Sequence, residues 1–229
     1  MLRKSILKRT LLISAVLLAV LPAGMAHATR WAGENGIVRL AFNEGEQLET
    51  VKTVAPDEHG TVTVDVYAVL SDVDPITVQG ERFLAVGGFE LKLKVDGAEP
   101  LIVDETYPFP HFNVSQEKGA CMVGISPEQP LVDGRATLVH WRLMFMGDPK
   151  NVRIGLDPAG LHSCRTLPDC PDSGTQALYV GTADSQLNGV MFGAGYAPAF
   201  LNWEGEPDNE PVLGHAPWQK VGICKSVED

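Results

Sequence analysis

The sequence predicts an all-β protein, an antiparallel β-sandwich with an irregular C-terminal extension, and three observations lead there. Apolar and polar residues alternate at every second position through three long segments. Turn residues separate further short apolar runs at intervals of roughly ten residues. No long window beyond the first thirty residues has apolar 3.6-residue spacing bounded by caps, and 23 Gly and 16 Pro punctuate the chain. Short strands without intervening helices bury their apolar faces most simply as two packed antiparallel sheets, with a closed barrel as the alternative.

The clearest strand is Thr61 to Leu70, where Val62, Val64, Val66, Ala68 and Leu70 share one face and Thr61, Thr63, Asp65 and Tyr67 the other. Phe89, Leu91, Leu93 and Val95 alternate with Glu90, Lys92 and Lys94, entered through Gly87-Gly88 and left through Asp96-Gly97. From Ala136 to Phe145, Val139, Trp141, Leu143 and Phe145 face inward, against Leu138, His140, Arg142 and Met144. Trp141 is thereby assigned to the core, and His140 and Arg142 to solvent. Shorter strands are expected at 37–42, 48–54, 101–103, 121–125, 152–156, 177–180, 190–192, 199–203 and 221–224. The composition changes near Leu156, so the expected organisation is a signal peptide at 1–28, a sandwich at 29–160, and an extension at 161–229 packing on the same domain.

The leader reading rests on Arg3, Lys4, Lys8 and Arg9 ahead of the apolar stretch Leu11 to Leu21, followed by the small-x-small site Ala26-His27-Ala28. That stretch is too short to span a bilayer, so no membrane span is expected in the mature chain. Cleavage near Ala28 would export the protein to the periplasm or the cell exterior. The formal charge of -11 then becomes more acidic: losing four of 18 basic side chains leaves 14 against 29 acidic ones, a net of -15. Such a charge repels phosphate backbones and excludes nucleic acid as a partner.

In an exported chain, four cysteines read as two disulfides, for which three pairings exist. The expected set is Cys164 with Cys170, across the short loop Arg-Thr-Leu-Pro-Asp, and by elimination Cys121 with Cys224. Zinc is disfavoured because only His162 and Cys164 stand at ligand spacing.

The segments Thr61 to Leu70, Val86-Gly-Gly-Phe-Glu-Leu-Lys-Leu-Lys-Val-Asp96, Leu138 to Phe145 and Val152 to Leu156 resemble the strand plan of cohesin-like and carbohydrate-binding-like β-sandwiches, which are immunoglobulin-like in outline. Secreted bacterial proteins of unknown function share an opening similar to Ile37-Val-Arg-Leu-Ala-Phe42. The resemblance runs from Gly36 to Cys164. It implies a cohesin-like sandwich with a noncatalytic, interaction-type role, and carries over no functional residue. Cohesins continue the second strand into a Tyr-Asp-Pro turn, where this chain has Val95-Asp96-Gly97.

Catalytic motifs are absent. Gly124-Ile125-Ser126-Pro127-Glu128 lacks the second glycine of a nucleophile elbow and sets proline where a helix should begin. Carboxylate pairs such as Asp104 or Glu105 against Glu81 keep a small secreted polysaccharide hydrolase as the alternative. No enzyme activity is expected. Two acidic turns suit calcium as an optional ligand of an adhesion or assembly subunit: Asp72-Val73-Asp74, and the denser run holding Glu204, Glu206, Asp208, Asn209 and Glu210. Trp203 and Trp218 flank that run and are the candidate ligand contacts, since flat aromatic faces stack on sugar rings. Carbohydrate or an extracellular protein is the expected partner. Asn113-Val114-Ser115 fits the N-glycosylation triplet.

Overall fold

The computed structural model describes residues 36–72, 77–78, 81–157, 177–183 and 186–212. The leader, Cys164, Cys170, Cys224, Trp218 and the strand expected at 221–224 lie outside the described residues. Those residues form thirteen strands and no helix: β1 (Ile37–Ala41), β2 (Val51–Lys52), β3 (Thr61–Ser71), β4 (Thr77–Val78), β5 (Glu81–Asp96), β6 (Leu101–Thr106), β7 (His111–Asn113), β8 (Ala120–Pro130), β9 (Ala136–Met146), β10 (Val152–Asp157), β11 (Ala177–Ala183), β12 (Gln186–Ala197) and β13 (Ala199–Leu201).

They build a β-sandwich. One sheet runs β12–β1–β3–β9–β6. In the other, β5 is flanked on one edge by β10 and β11 in succession and on the other by β8, with β7 outermost; β13 and β2 continue beyond β10. β12 belongs to both sheets. It ladders with β11 up to Ala194, then with β1 through Gly195–Ala197. Pro198, which has no N–H to donate, interrupts the ladder before β13 returns to β10. Two pairings, β1 with β12 and β13 with β2, are parallel, so the sandwich is mixed where alternation alone had suggested antiparallel pairing throughout. Each joins strands far apart in the chain, as parallel pairing requires.

The alternation read in β3 and β9 sets the core. Val62, Val64 and Val66 face Phe145, Leu143 and Trp141 across the ladder, and all six are buried. Burial of each large apolar side chain contributes about 1.5–3 kcal/mol. Gly87-Gly88, expected to open a strand, instead lies inside β5. A Cβ on Gly88 would stand 2.7 Å from the Val123 carbonyl oxygen, so glycine there admits a closely packed β8. β11, β12 and β13 come from the stretch expected to be an irregular extension and are laddered into both sheets.

His140 and Arg142 do face outward, but not freely. His140 Nε2 stands 2.8 Å from Asp65 Oδ1, Arg142 Nε donates to the same oxygen at 3.0 Å, and the His140 ring stacks on Tyr67. Burial works to raise the Asp65 carboxyl, but these two hydrogen bonds and their charges overcome it and hold its pKa below the ordinary 3.8.

Candidate interaction surface

β6 is the last strand of one sheet and β7 of the other, and they lie along the same flank of the sandwich. A polar cluster ties them together. Glu105 sits opposite Trp141 in the β6–β9 ladder and points inward beside it. Its Oε2 accepts the Trp141 indole N–H at 3.1 Å and the Gly119 amide at 2.8 Å, while Oε1 accepts the Tyr107 hydroxyl at 2.5 Å. Tyr107 Oη in turn accepts from Asn113 Nδ2 at 2.9 Å and lies 3.5 Å from Cys121 Sγ. Asn113 Oδ1 accepts the amides of Ser115 and Met122. The His111 ring packs on Tyr107 with centroids 4.1 Å apart.

Burial raises the pKa of Tyr107, with help from Cys121 and Glu105. Burial pushes the Cys121 thiol up to about 12, against the lowering effect of its contact with Tyr107 and with a further rise from Glu105. Both groups are protonated at neutral pH, so the cluster is a brace between sheets with no nucleophile in it. Cys121 is a buried thiol whose strand directs the sulfur into the core opposite Leu91, and its expected partner Cys224 lies outside the described residues. We expect Cys121 to resist alkylation in the native protein at pH 8 and to react fully in denaturant. Peptide mapping by mass spectrometry checks this, and rapid native labelling would contradict it. The Asn113 amide, inside the cluster, is committed to Tyr107, Ser115 and Met122 and is not presented as a glycosylation acceptor.

Outside this brace, large hydrophobic side chains are exposed on both edge strands among polar ones. Leu101 and Val103 on β6 are 59% and 46% exposed, Phe112 on β7 is 69% exposed and Val114 just beyond it 45%. The described residues include four other large hydrophobics that are exposed, Val51, Val132, Met146 and Val212. Phe112 stands opposite Gly124, which stands opposite Gly88 in β5. Gly124 is exposed, and a Cβ there would meet nothing within 4 Å. Neither a backbone turn nor an internal neighbour calls for glycine at 124, and Phe112 does not cover it. The result is bare main chain at Gly124 beside an exposed aromatic ring.

The two edges differ. β6 is blunted: it bulges at Val103, Lys118 Nζ donates to the Ile102 carbonyl at 3.2 Å, and the Asp104 carboxylate accepts the Glu105 amide at 3.0 Å. On β7 the Pro110 carbonyl accepts from the Ser126 amide, and the Val114 amide donates to Met122. Ladder alternation then points the main-chain N–H and C=O of His111 and Asn113 away from β8, where no described group meets them. Removing both blunting side chains, Asp104→Ala with Lys118→Ala, should promote edge-to-edge association; light scattering should show aggregates at concentrations where the parent stays monodisperse.

The acidic run lies across the molecule, after β13. Trp203 is half-buried and packs edge-on against Phe200 with centroids 4.9 Å apart. The Glu204 amide donates to Asn151 Oδ1, which anchors the start of the run. Glu204, Glu206, Asp208, Asn209 and Glu210 are exposed, and among the described residues no three His, Cys, Asp or Glu side chains converge as a metal site. Asp72 of the other acidic turn is taken by Arg39 at 2.7 Å. Asp104 binds its neighbouring amide and Glu105 belongs to the brace; the Glu81 side chain proposed to oppose them lies outside the described residues.

No family model and no curated protein matches this sequence. In structure the chain is similar to the seventh ScaB type I cohesin from Pseudobacteroides cellulosolvens, with a TM-score of 0.43 and 10% sequence identity over 76% of this chain and 94% of that one. The likeness carries no residue and no binding property across.

Proposed function

We propose that the protein is an exported, noncatalytic β-sandwich that binds another protein through the β6–β7 flank. The observation that carries this reading is the exposure of Phe112 and Val114 on one side of the edge strand β7, with Leu101 and Val103 exposed on the neighbouring edge strand β6. Rigidity favours it as well, because the Glu105–Tyr107–Asn113 brace fixes both edges before any partner arrives and so lowers the entropic cost of binding. The groups best placed for acid–base work on this flank are bonded to one another, which supports a binding role over hydrolysis. A protein suits the surface better than a sugar, since Phe112 stands at a strand edge beside aliphatic neighbours and Trp203 gives much of its ring to Phe200. Export follows from the basic leader and its small-x-small site.

A photoreactive benzoylphenylalanine at position 112, introduced in cells that export the protein, should give a discrete adduct with a second polypeptide, and the same group at 203 or 206 should not. Adducts from 203 and 206 alone would overturn the assignment. Turnover of a polysaccharide by the purified chain, lost on Asp104→Asn, would overturn the noncatalytic reading.

A further inference from the structure

We infer that β7 is a strand-addition edge, and that its occupant is an extended partner segment alternating apolar and basic residues. The inference rests on the reading of the flank as a protein-binding surface and specifies how it binds. Of the two edge strands there, β6 has its Ile102 carbonyl taken by Lys118 and its Glu105 amide by Asp104, whereas among the described residues nothing meets the outward N–H and C=O of His111 and Asn113 on β7. Edges are ordinarily blunted to prevent pairing, so one blunted and one open edge side by side direct pairing to the open one. An incoming strand would form its ladder with His111 and Asn113 alone, leaving the internal bonds of Pro110 and Val114 to β8 intact.

Side chains set the apolar half of the specificity. Phe112 and Val114 are two residues apart and so project on the same side, both exposed, where they would flank a cross-strand apolar residue. Charge sets the other half. Between 110 and 130, Glu117 is paired with Lys92 at 2.7 Å and Lys118 is held on the Ile102 carbonyl, so the acid that remains is Glu128. With a chain charge of -11 even before the leader is lost, a second copy is repelled and a basic segment is attracted.

The test uses the full chain with three synthetic peptides: alternating Lys-Val, alternating Glu-Val, and Lys-Val carrying N-methyl groups on alternate amides. Amide hydrogen exchange is read by NMR. The Lys-Val peptide should bind saturably and slow exchange at His111 and Asn113 by about tenfold. The N-methylated peptide, equal in charge but unable to complete the ladder, should not slow it. His111→Pro, which removes the outward N–H together with the ring packed on Tyr107, should abolish the protection, whereas His111→Ala, which removes the ring alone, should keep it, with thermal melting confirming the fold of both. Equal binding of the N-methylated peptide would overturn strand addition while leaving a protein-binding face intact, and that face is tested separately by the adduct at position 112. Equal binding of Glu-Val would overturn the charge assignment. Concentration-dependent protection without peptide would make a second copy the occupant and overturn the proposal, as would no binding at all.

Discussion

Glu105→Ala is expected to destabilise the fold by about 3 kcal/mol, because two buried donors, the Trp141 indole N–H and the Gly119 amide, would lose their acceptor together. Each such loss costs about 1–3 kcal/mol, so the pair costs about 2–6, and partial access of water to the position of Glu105 keeps the sum in the lower half of that range. Glu105→Gln retains an acceptor oxygen and should lose less than half as much. Urea unfolding of the two variants against the parent checks the difference. Equal stability of all three would mean that the brace between the sheets is not structural. The same substitution should quicken amide exchange in β7, since Tyr107 would lose the carboxylate that positions it toward Asn113.

Asn202→Ala should cost about 3 kcal/mol at the opposite end of the molecule. The Asn202 side chain is buried; it accepts the Val54 amide at 2.7 Å and donates to the carbonyls of Val54 and Pro149 at 3.0 and 2.9 Å, while its backbone sits at φ 48°. Alanine would leave those groups unpaired and would also strain a left-handed backbone. Asn202→Gly relieves the strain and keeps the hydrogen-bond loss, so its destabilisation should lie below that of alanine. If glycine and alanine cost the same, backbone strain plays no part.

The long strands were legible because β3 and β9 bury one face each, and that burial writes a two-residue period into the residues themselves. Trp141 was placed in the core by the same period. Gly87-Gly88 misled because a glycine pair signals a turn in isolation, while here Gly88 answers the approach of Val123 from a strand thirty-odd residues away. β7 was not legible at all. Three residues, His-Phe-Asn, just after Pro110 show no period, and they are extended only because β8 pairs with them. The brace was equally hidden, since Glu105, Tyr107, Asn113, Cys121 and Trp141 meet through pairings that no local pattern announces. An available hint was Phe112, a large apolar residue between two polar ones in a segment with no alternation to bury it.

The acidic run from 204 to 210 drew attention because density of like residues is visible in a sequence, whereas convergence is not. Its side chains point into solvent from an extended loop, and Trp203 turns toward Phe200. Cysteine parity likewise says nothing about which strand directs its sulfur inward, and β8 buries that of Cys121.

The flank and the acidic run make opposite claims on where a partner docks, and a hydrogen-exchange footprint separates them. Deuterium uptake of the full chain would be compared with and without the exported proteins of its own cells, read peptide by peptide. The flank account predicts protection over 110–125, with 203–210 unchanged. Protection confined to 203–210 would contradict it.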